Sequence, residues 1–516
     1  MNRILLVNQS SFVKTGYGII GNELLTRLSK DYPTAELACD CSPYNNDLNS
    51  RAWKIYPNLP LEHEQQQYHS NPINAYGRWK FEQVCLDFKP THVISFRDNW
   101  MDCFIGRSPY KKCYNWIYMP TIDAPSQNKE WLFDYSVADK LFCYQQWSAN
   151  TLYTESGGRL IAEPNYIGCN NHPLSNRDQI KKDLGLNGFV IGTVMRNMAR
   201  KRFPELFRAF GKIVQNHPNV ILYCHTSYPD KEPWNIPRLL LENNIQNNVV
   251  FTHTCQNCHD VWPSKYKGKL SFCPKCLNKS AVMATPGKGL SEEQMNIMYN
   301  IFDLYVQFSN LEGFGMPLIE ASMAGTPTLA PKFSAMIDVI DKNGGEYINI
   351  DASYKDTNSD RWCGIPSESD LIKKVNRYIK MDNSKLNTLR NQTYTQTKSN
   401  FSWDKFYSKI KNSIDSLPNK SWKTQVDIQQ PSEPINGLDK LTNSEFVRWC
   451  IVNVLKDHSK INTYFEGKII DELESSIRHT GRDFINIDRQ MIYNEMLNAR
   501  NSINYMEDMR CKKFYI

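Results

Sequence analysis

Two glutamates separated by seven residues, Glu312 and Glu320, frame a glycine turn in the stretch Ser309-Asn310-Leu311-Glu312-Gly313-Phe314-Gly315-Met316-Pro317-Leu318-Ile319-Glu320. The apolar run Leu304 to Phe308 before it reads as a buried strand. The run after it reads as a short helix stopped by Gly325 and Pro327. One carboxylate in the loop and another about a turn into the helix then face the mouth of one crevice, at the kind of junction where open α/β sheets bind ligands. Gly313 and Gly315 let the backbone come close to a ligand, and the helix start offers unpaired N–H groups to an anion. A phosphate flanked by hydroxyls suits that set.

A second cluster lies more than a hundred residues earlier. Arg196, Arg200, Lys201 and Arg202 place four cations in seven residues, between the strand-like run Phe189 to Val194 and the helix-like run Phe203 to Phe210. That is a dense anion site at a strand end. A third cluster, Cys255, Cys258, Cys273 and Cys276, has the spacing C-x2-C-x14-C-x2-C, in which each pair of thiolates forms one knuckle of a tetrahedral zinc site.

The element Glu312-Gly-Phe-Gly-Met-Pro-Leu-Ile-Glu320 resembles the E-x7-E element of the retaining glycosyltransferases with the GT-B fold, in particular glycosyltransferase family 4. The resemblance implies an α/β fold of two Rossmann-like domains facing a cleft, with a nucleotide-sugar donor held mainly by the second. It implies that Glu312 and the backbone of Gly313, Phe314 and Gly315 meet the donor sugar, and that Glu320 holds the ribose hydroxyls. Arg196 and Lys201 would clamp the donor phosphates, whereas Arg200 and Arg202 depart from the usual neighbours and read as solvated. Fixed cations and a helix N-terminus would stabilise the departing nucleoside diphosphate, so no catalytic metal is expected.

The N-terminal elements fit this scheme. Arg3 to Val7 reads as a first strand, followed by a loop with Gly16 and Gly18 and a helix from about Ile20 to Ser29. By resemblance the two glycines approach the donor diphosphate and the acceptor, although a pair of loop glycines also serves a tight turn. After the strand-like run Asn115 to Met119 comes Asp123, whose carboxylate would orient an acceptor or sugar hydroxyl, help take up a proton, or merely cap its own turn. Pro331 to Ala335 is expected to line the nucleotide pocket.

The expected domains are 1–180 for the acceptor lobe, completed by a crossing helix at 401–416, and 181–400 for the nucleotide-sugar lobe. The cysteine ribbon, 252–288, is an insertion in the second. Residues 417–439 read as a polar, proline-containing linker and 440–516 as a helical extension.

Fifteen cysteines in a chain of 516 residues with no signal-like start are expected to be mostly reduced. No apolar run has membrane-spanning length, so a cytoplasmic protein is expected, with peripheral membrane contact left open. A formal net charge of +7 favours anionic ligands without announcing nucleic acid. The ribbon, however, carries six lysines (265, 267, 269, 275, 279 and 288) against Asp260, interleaved with Trp262, Tyr266 and Phe272. Its zinc is structural on the simplest reading, and its surface also suits a polyanion. The acceptor stays open between hydroxymethylated DNA, a surface or lipid-linked glycan, and a small molecule. The rival reading is a nucleic-acid-binding or scaffold protein on an inactive glycosyltransferase fold.

Overall fold

The computed structural model describes residues 2–227, 233–266, 272–284, 289–357 and 360–422, together with Phe446, Trp449, Tyr493 and Leu497. Apart from those four residues and 417–422, the linker and helical extension lie outside the described residues, as do Lys267, Lys269 and Lys288 of the ribbon.

The first lobe is a seven-stranded sheet in the order β3-β2-β1-β4-β5-β6-β7. Its strands are β1 (Ile4–Gln9), β2 (Thr34–Cys39), β3 (Lys54–Pro57), β4 (His92–Ser95), β5 (Asn115–Tyr118), β6 (Lys140–Cys143) and β7 (Glu163–Pro164). The second lobe contains β8 (Val190–Val194), β9 (Ile221–His225), β10 (Val249–Cys255), β11 (Val261–Lys265), β12 (Ala281–Met283), β13 (Leu304–Val306), β14 (Thr328–Pro331) and β15 (Glu346–Ile348). These follow the order β11-β10-β9-β8-β13-β14-β15, with β12 also on β10. A separate hairpin pairs β16 (Ile350–Lys355) with β17 (Trp362–Pro366).

In each lobe the strand order reverses beside the first strand, between β1 and β4 and between β8 and β13, and both pairs run parallel. Loops at the carboxyl ends on either side of such a reversal diverge and leave a crevice.

Local sequence explains the elements around these crevices. Alternation sends Leu304, Val306 and Phe308 into the core of the second lobe, while Tyr305, Gln307 and Ser309 face the other way. The first helix starts at Gly16, earlier than expected, because the Thr15 hydroxyl caps it by accepting from the Gly18 N–H, and it runs to Asp31. β2 escaped the sequence reading because Glu36 interrupts its apolar run. That carboxylate is buried and accepts from the Ser11 backbone (2.7 Å), the Ser11 hydroxyl (2.8 Å) and the Trp53 indole (3.1 Å).

The helix Trp403–Ser416, capped by Ser402, returns to the first lobe. Asn165 Nδ2 donates to the Phe406 carbonyl (3.2 Å), Arg27 pairs with Asp404 (3.2 Å), and a Cβ on Gly168 would lie 2.2 Å from the Trp403 nitrogen. Residues 1–102 and 116–418, both lobes with this helix, form one compact unit, and 103–115 with 419–516 form another. In the latter, Tyr110 and Trp422 pack with ring centroids 5.6 Å apart.

Candidate active site

Glu312 leaves β13 at the switch point and meets the loop that follows β8. Its buried carboxylate pairs with Lys201 and with Arg200 (2.7 Å), and accepts from Ser309 (2.6 Å) and Gln307 (2.6 Å). Burial alone would raise the Glu312 carboxyl, but the two cations and these donors outweigh it and hold it far below the usual range. Lys201 is not its mirror image: burial and the neighbouring Arg200 charge pull its ammonium down to about 8 despite the glutamate. The Glu312 N–H donates to Ser334 Oγ (3.0 Å), a residue of the segment expected near the nucleotide.

The structure therefore assigns Arg200 differently from the sequence reading. It is not a solvated neighbour; it also donates to the Leu311 carbonyl (2.9 Å). Arg196 instead stands exposed just past β8 and does not take part in the Glu312 pair. Arg202 sits in the left-handed region (φ 46°) and pairs with Glu205.

Gly315, at φ 89°, caps the helix Met316–Met323 without a side-chain partner. Gly313 touches the first lobe: a Cβ there would lie 2.2 Å from Thr121 Cγ2 and 3.8 Å from Asp123 Cβ. Gln145 of that lobe also donates to the Gly313 carbonyl (3.0 Å). Phe314, whose backbone is expected to meet the donor, packs its ring in the core between the lobes, against Tyr144 (5.5 Å) and Phe401 (6.3 Å). Gly16 is exposed, its Cβ position 3.1 Å from Met316 Sδ, so the first-lobe glycine loop faces the start of the second-lobe helix. Gly18 is there for its own turn, where a Cβ would strike the Val13 carbonyl at 2.1 Å. Glu320, one turn into the helix, accepts from the Tyr299 hydroxyl (2.6 Å), and burial pushes its carboxyl up.

Asp123 forms an ion pair with Arg361, which leads into β17, so the carboxylate offered for a sugar hydroxyl is held by a guanidinium from the other lobe. Asp98, which the sequence reading passed over, lies at the carboxyl end of β4. The Tyr17 hydroxyl reaches it (3.3 Å) and also meets Thr121 Oγ1 (2.8 Å). Burial, with the Asp123 charge adding, raises the Asp98 carboxyl to about 6. Its signal was the run Phe96-Arg97-Asp98 directly after a buried strand. Gln307 and Ser309 could likewise have been found from the alternation along β13.

The four cysteine sulfurs lie within 4.8 Å of one another, with Cys255 and Cys276 3.5 Å apart and Cys258 and Cys273 3.6 Å apart. A tetrahedron of about 2.3 Å metal–sulfur bonds has edges of about 3.8 Å, so the set fits one metal ion. The residue after each knuckle, His259 (φ 55°) and Leu277 (φ 60°), is left-handed, turning the chain back. The Asn257 and Cys258 N–H groups donate to Cys255 Sγ at 3.3 Å each.

Residues 278–395 match the family model described as glycosyl transferases group 1. No curated protein matches the sequence. Among solved structures, sucrose-phosphate synthase from Thermosynechococcus elongatus is 14% identical with a TM-score of 0.57, over 80% of this chain and 98% of that one. Anabaena HepE in complex with UDP-glucose is 15% identical with a TM-score of 0.58, over 81% of this chain and 100% of that one. S. aureus TarM, in a complex that includes UDP, is 11% identical with a TM-score of 0.50, over 81% and 100%. No helix among the described residues is long and apolar enough to cross a membrane. The two sheets with their switch-point loops are thus the GT-B fold, and the segment that matches the glycosyl transferases group 1 model, residues 278–395, lies in its second lobe.

Proposed function

We propose that this GT-B glycosyltransferase moves a sugar from a nucleoside-diphosphate donor to an acceptor hydroxyl with retention of anomeric configuration. The observation that carries the reading is the buried cluster of Glu312, Lys201 and Arg200 at the β8/β13 switch point. Two cations face one carboxylate, leaving an excess positive charge where a diphosphate can receive it. Lys201, Arg200 and the exposed Arg196 then stabilise the departing nucleoside diphosphate, and Glu312 holds both the cations and a sugar hydroxyl. Glu320 takes the ribose hydroxyls. The leaving phosphate helps accept the acceptor proton on the same face of the sugar, and the contact of Gly313 with Thr121 closes the lobes against water. The HepE complex with UDP-glucose supports a uridine donor as the first to try.

Such a buried cluster of two cations and one carboxylate argues against an inactive fold, since an unused buried ion pair is costly to keep. The test is release of UDP from a panel of labelled UDP-sugars. Glu312→Ala abolishing release supports the reading. Failure of every nucleotide sugar to be bound or cleaved overturns it.

For the acceptor, the ribbon surface favours DNA carrying hydroxymethylated bases over a glycan or lipid. Phe272 (56% exposed) and Leu277 (73%) are exposed, as are Lys265, Lys275 and Lys279, with Lys279 over the Phe272 ring at 5.6 Å. Label appearing in lipid or saccharide but not in hydroxymethylcytosine DNA overturns this part. The metal is zinc in a structural role, on the chemistry of four thiolates. Metal analysis should give about one zinc per chain, lost in Cys273→Ser.

A further inference from the structure

We propose that the cysteine ribbon is the outer wall of the donor-nucleotide pocket, and that its bound metal sets the affinity for the nucleoside diphosphate. The inference rests on the donor reading above.

Cys255, the first ligand, is the last residue of β10, so a strand of the nucleotide lobe runs straight into the metal site. β11 covers one edge of β10 from Val250 to Thr254. The opposite edge pairs first with β9, through Val249, Val250 and Phe251, and then with β12, through His253, Thr254 and Cys255. The ribbon strand β12 therefore stands beyond the carboxyl end of β9, where β9 would have continued past His225. Carboxyl ends of parallel strands beside a switch point form the ligand crevice, so the ribbon bounds that crevice on its β9 and β10 side.

A single helix carries this placement to the ribose carboxylate. Glu292–Asn300 begins with a capping box in which Gln294 N–H donates to Ser291 Oγ (3.2 Å) and the Ser291 N–H donates to Gln294 Oε1 (2.9 Å). The Gln294 amide also donates to the His259 carbonyl (2.9 Å), directly after Cys258. From the far end of the same helix, the Tyr299 hydroxyl donates to Glu320 (2.6 Å). The metal holds the knuckle, the knuckle holds the helix start, and the helix holds Glu320.

The experiment is calorimetric titration of the full chain with UDP. It compares metal-loaded protein, chelated protein and Gln294→Leu, with metal content and circular dichroism recorded for each. Gln294→Leu keeps all four ligands and breaks the link to His259 together with the capping-box bond from the Ser291 N–H. The expected result is a Kd at least tenfold weaker after metal removal, and several-fold weaker in Gln294→Leu at full metal content. UDP binding in Gln294→Leu equal to the unaltered protein overturns the inference while leaving the donor reading intact, and it decides the matter even if chelation unfolds the chain. Absence of binding by the metal-loaded protein to UDP, and equally to GDP, ADP and TDP, overturns the donor reading and this inference with it.

Discussion

Adding one methyl group at Gly313 tests whether the two lobes are built to touch at the glycine turn. A Cβ there would sit 2.2 Å from Thr121 Cγ2, whereas ordinary contact begins at 3.4 Å, so the overlap is 3.4 − 2.2 = 1.2 Å. Overlaps of that kind cost about 1–3 kcal/mol in a packed site. Thr121 cannot simply rotate away, because its hydroxyl meets Tyr17 at 2.8 Å. In Gly313→Ala the cost falls on global stability or on lobe closure. Urea unfolding reads the first, as a loss of about 1–3 kcal/mol, and UDP-sugar turnover reads the second, as a fall of about 5- to 150-fold for the same free energy. Thr121→Ser removes the offending methyl and keeps the hydroxyl, so Gly313→Ala/Thr121→Ser should recover most of whichever property was lost. The reasoning is refuted if Gly313→Ala changes neither property, or if the serine restores nothing, because the cycle isolates this one contact.

Glu312→Gln leaves the buried Lys201 and the half-buried Arg200 facing a neutral amide, and should cost about 3–5 kcal/mol in urea unfolding, partly regained in Glu312→Gln/Lys201→Met. With Lys201 at about 8, donor kcat/KM should fall as pH rises past about 8. Stability should move oppositely: between about 8 and the usual 10.5 the unfolded chain binds more protons at this lysine than the native one, so that contribution rises with pH, and Lys201→Met should abolish it. Asp98 at about 6 lies above its usual 3.8, so the native state holds the extra proton in that window. Its contribution to stability is therefore lost as pH rises through about 6, and Asp98→Asn should flatten this limb of a melting-temperature profile. Arg361→Met removes a positive charge that lowers the Asp98 carboxyl and frees Asp123, so the Asp98 limb of the melting-temperature profile should extend to higher pH; an unmoved limb would separate Asp98 from that titration.

Short-range order was legible because it depends on neighbours in sequence. Apolar runs such as Phe189 to Val194 marked strands, and the spacing of Glu312 from Glu320 put one acid in a loop and one on a helix. The paired C-x2-C knuckles brought four sulfurs together within 4.8 Å. The α/β architecture followed from the alternation of such runs with helical ones. β2 and the β16/β17 hairpin were less visible, β2 because a buried glutamate broke its pattern and the hairpin because its strand β16 is mostly exposed.

Which side chains meet was not legible, because it depends on sheet order. Lys201 and Glu312 lie 111 residues apart and touch only because β8 and β13 are neighbours in the sheet. The same adjacency drew Arg200 into the pair and left Arg196 outside it. Phe314 became a plug between the lobes and Asp123 the partner of Arg361, since both lie where the two lobes pack together. The sequence by itself determined most of the elements, the four-cysteine cluster that fits a metal ion, and the glycine turn between two acids that suggests a donor class. Only the tertiary structure decided which cation answers which carboxylate, because charge pairing in a buried crevice is fixed by distances between strands that are remote in the chain.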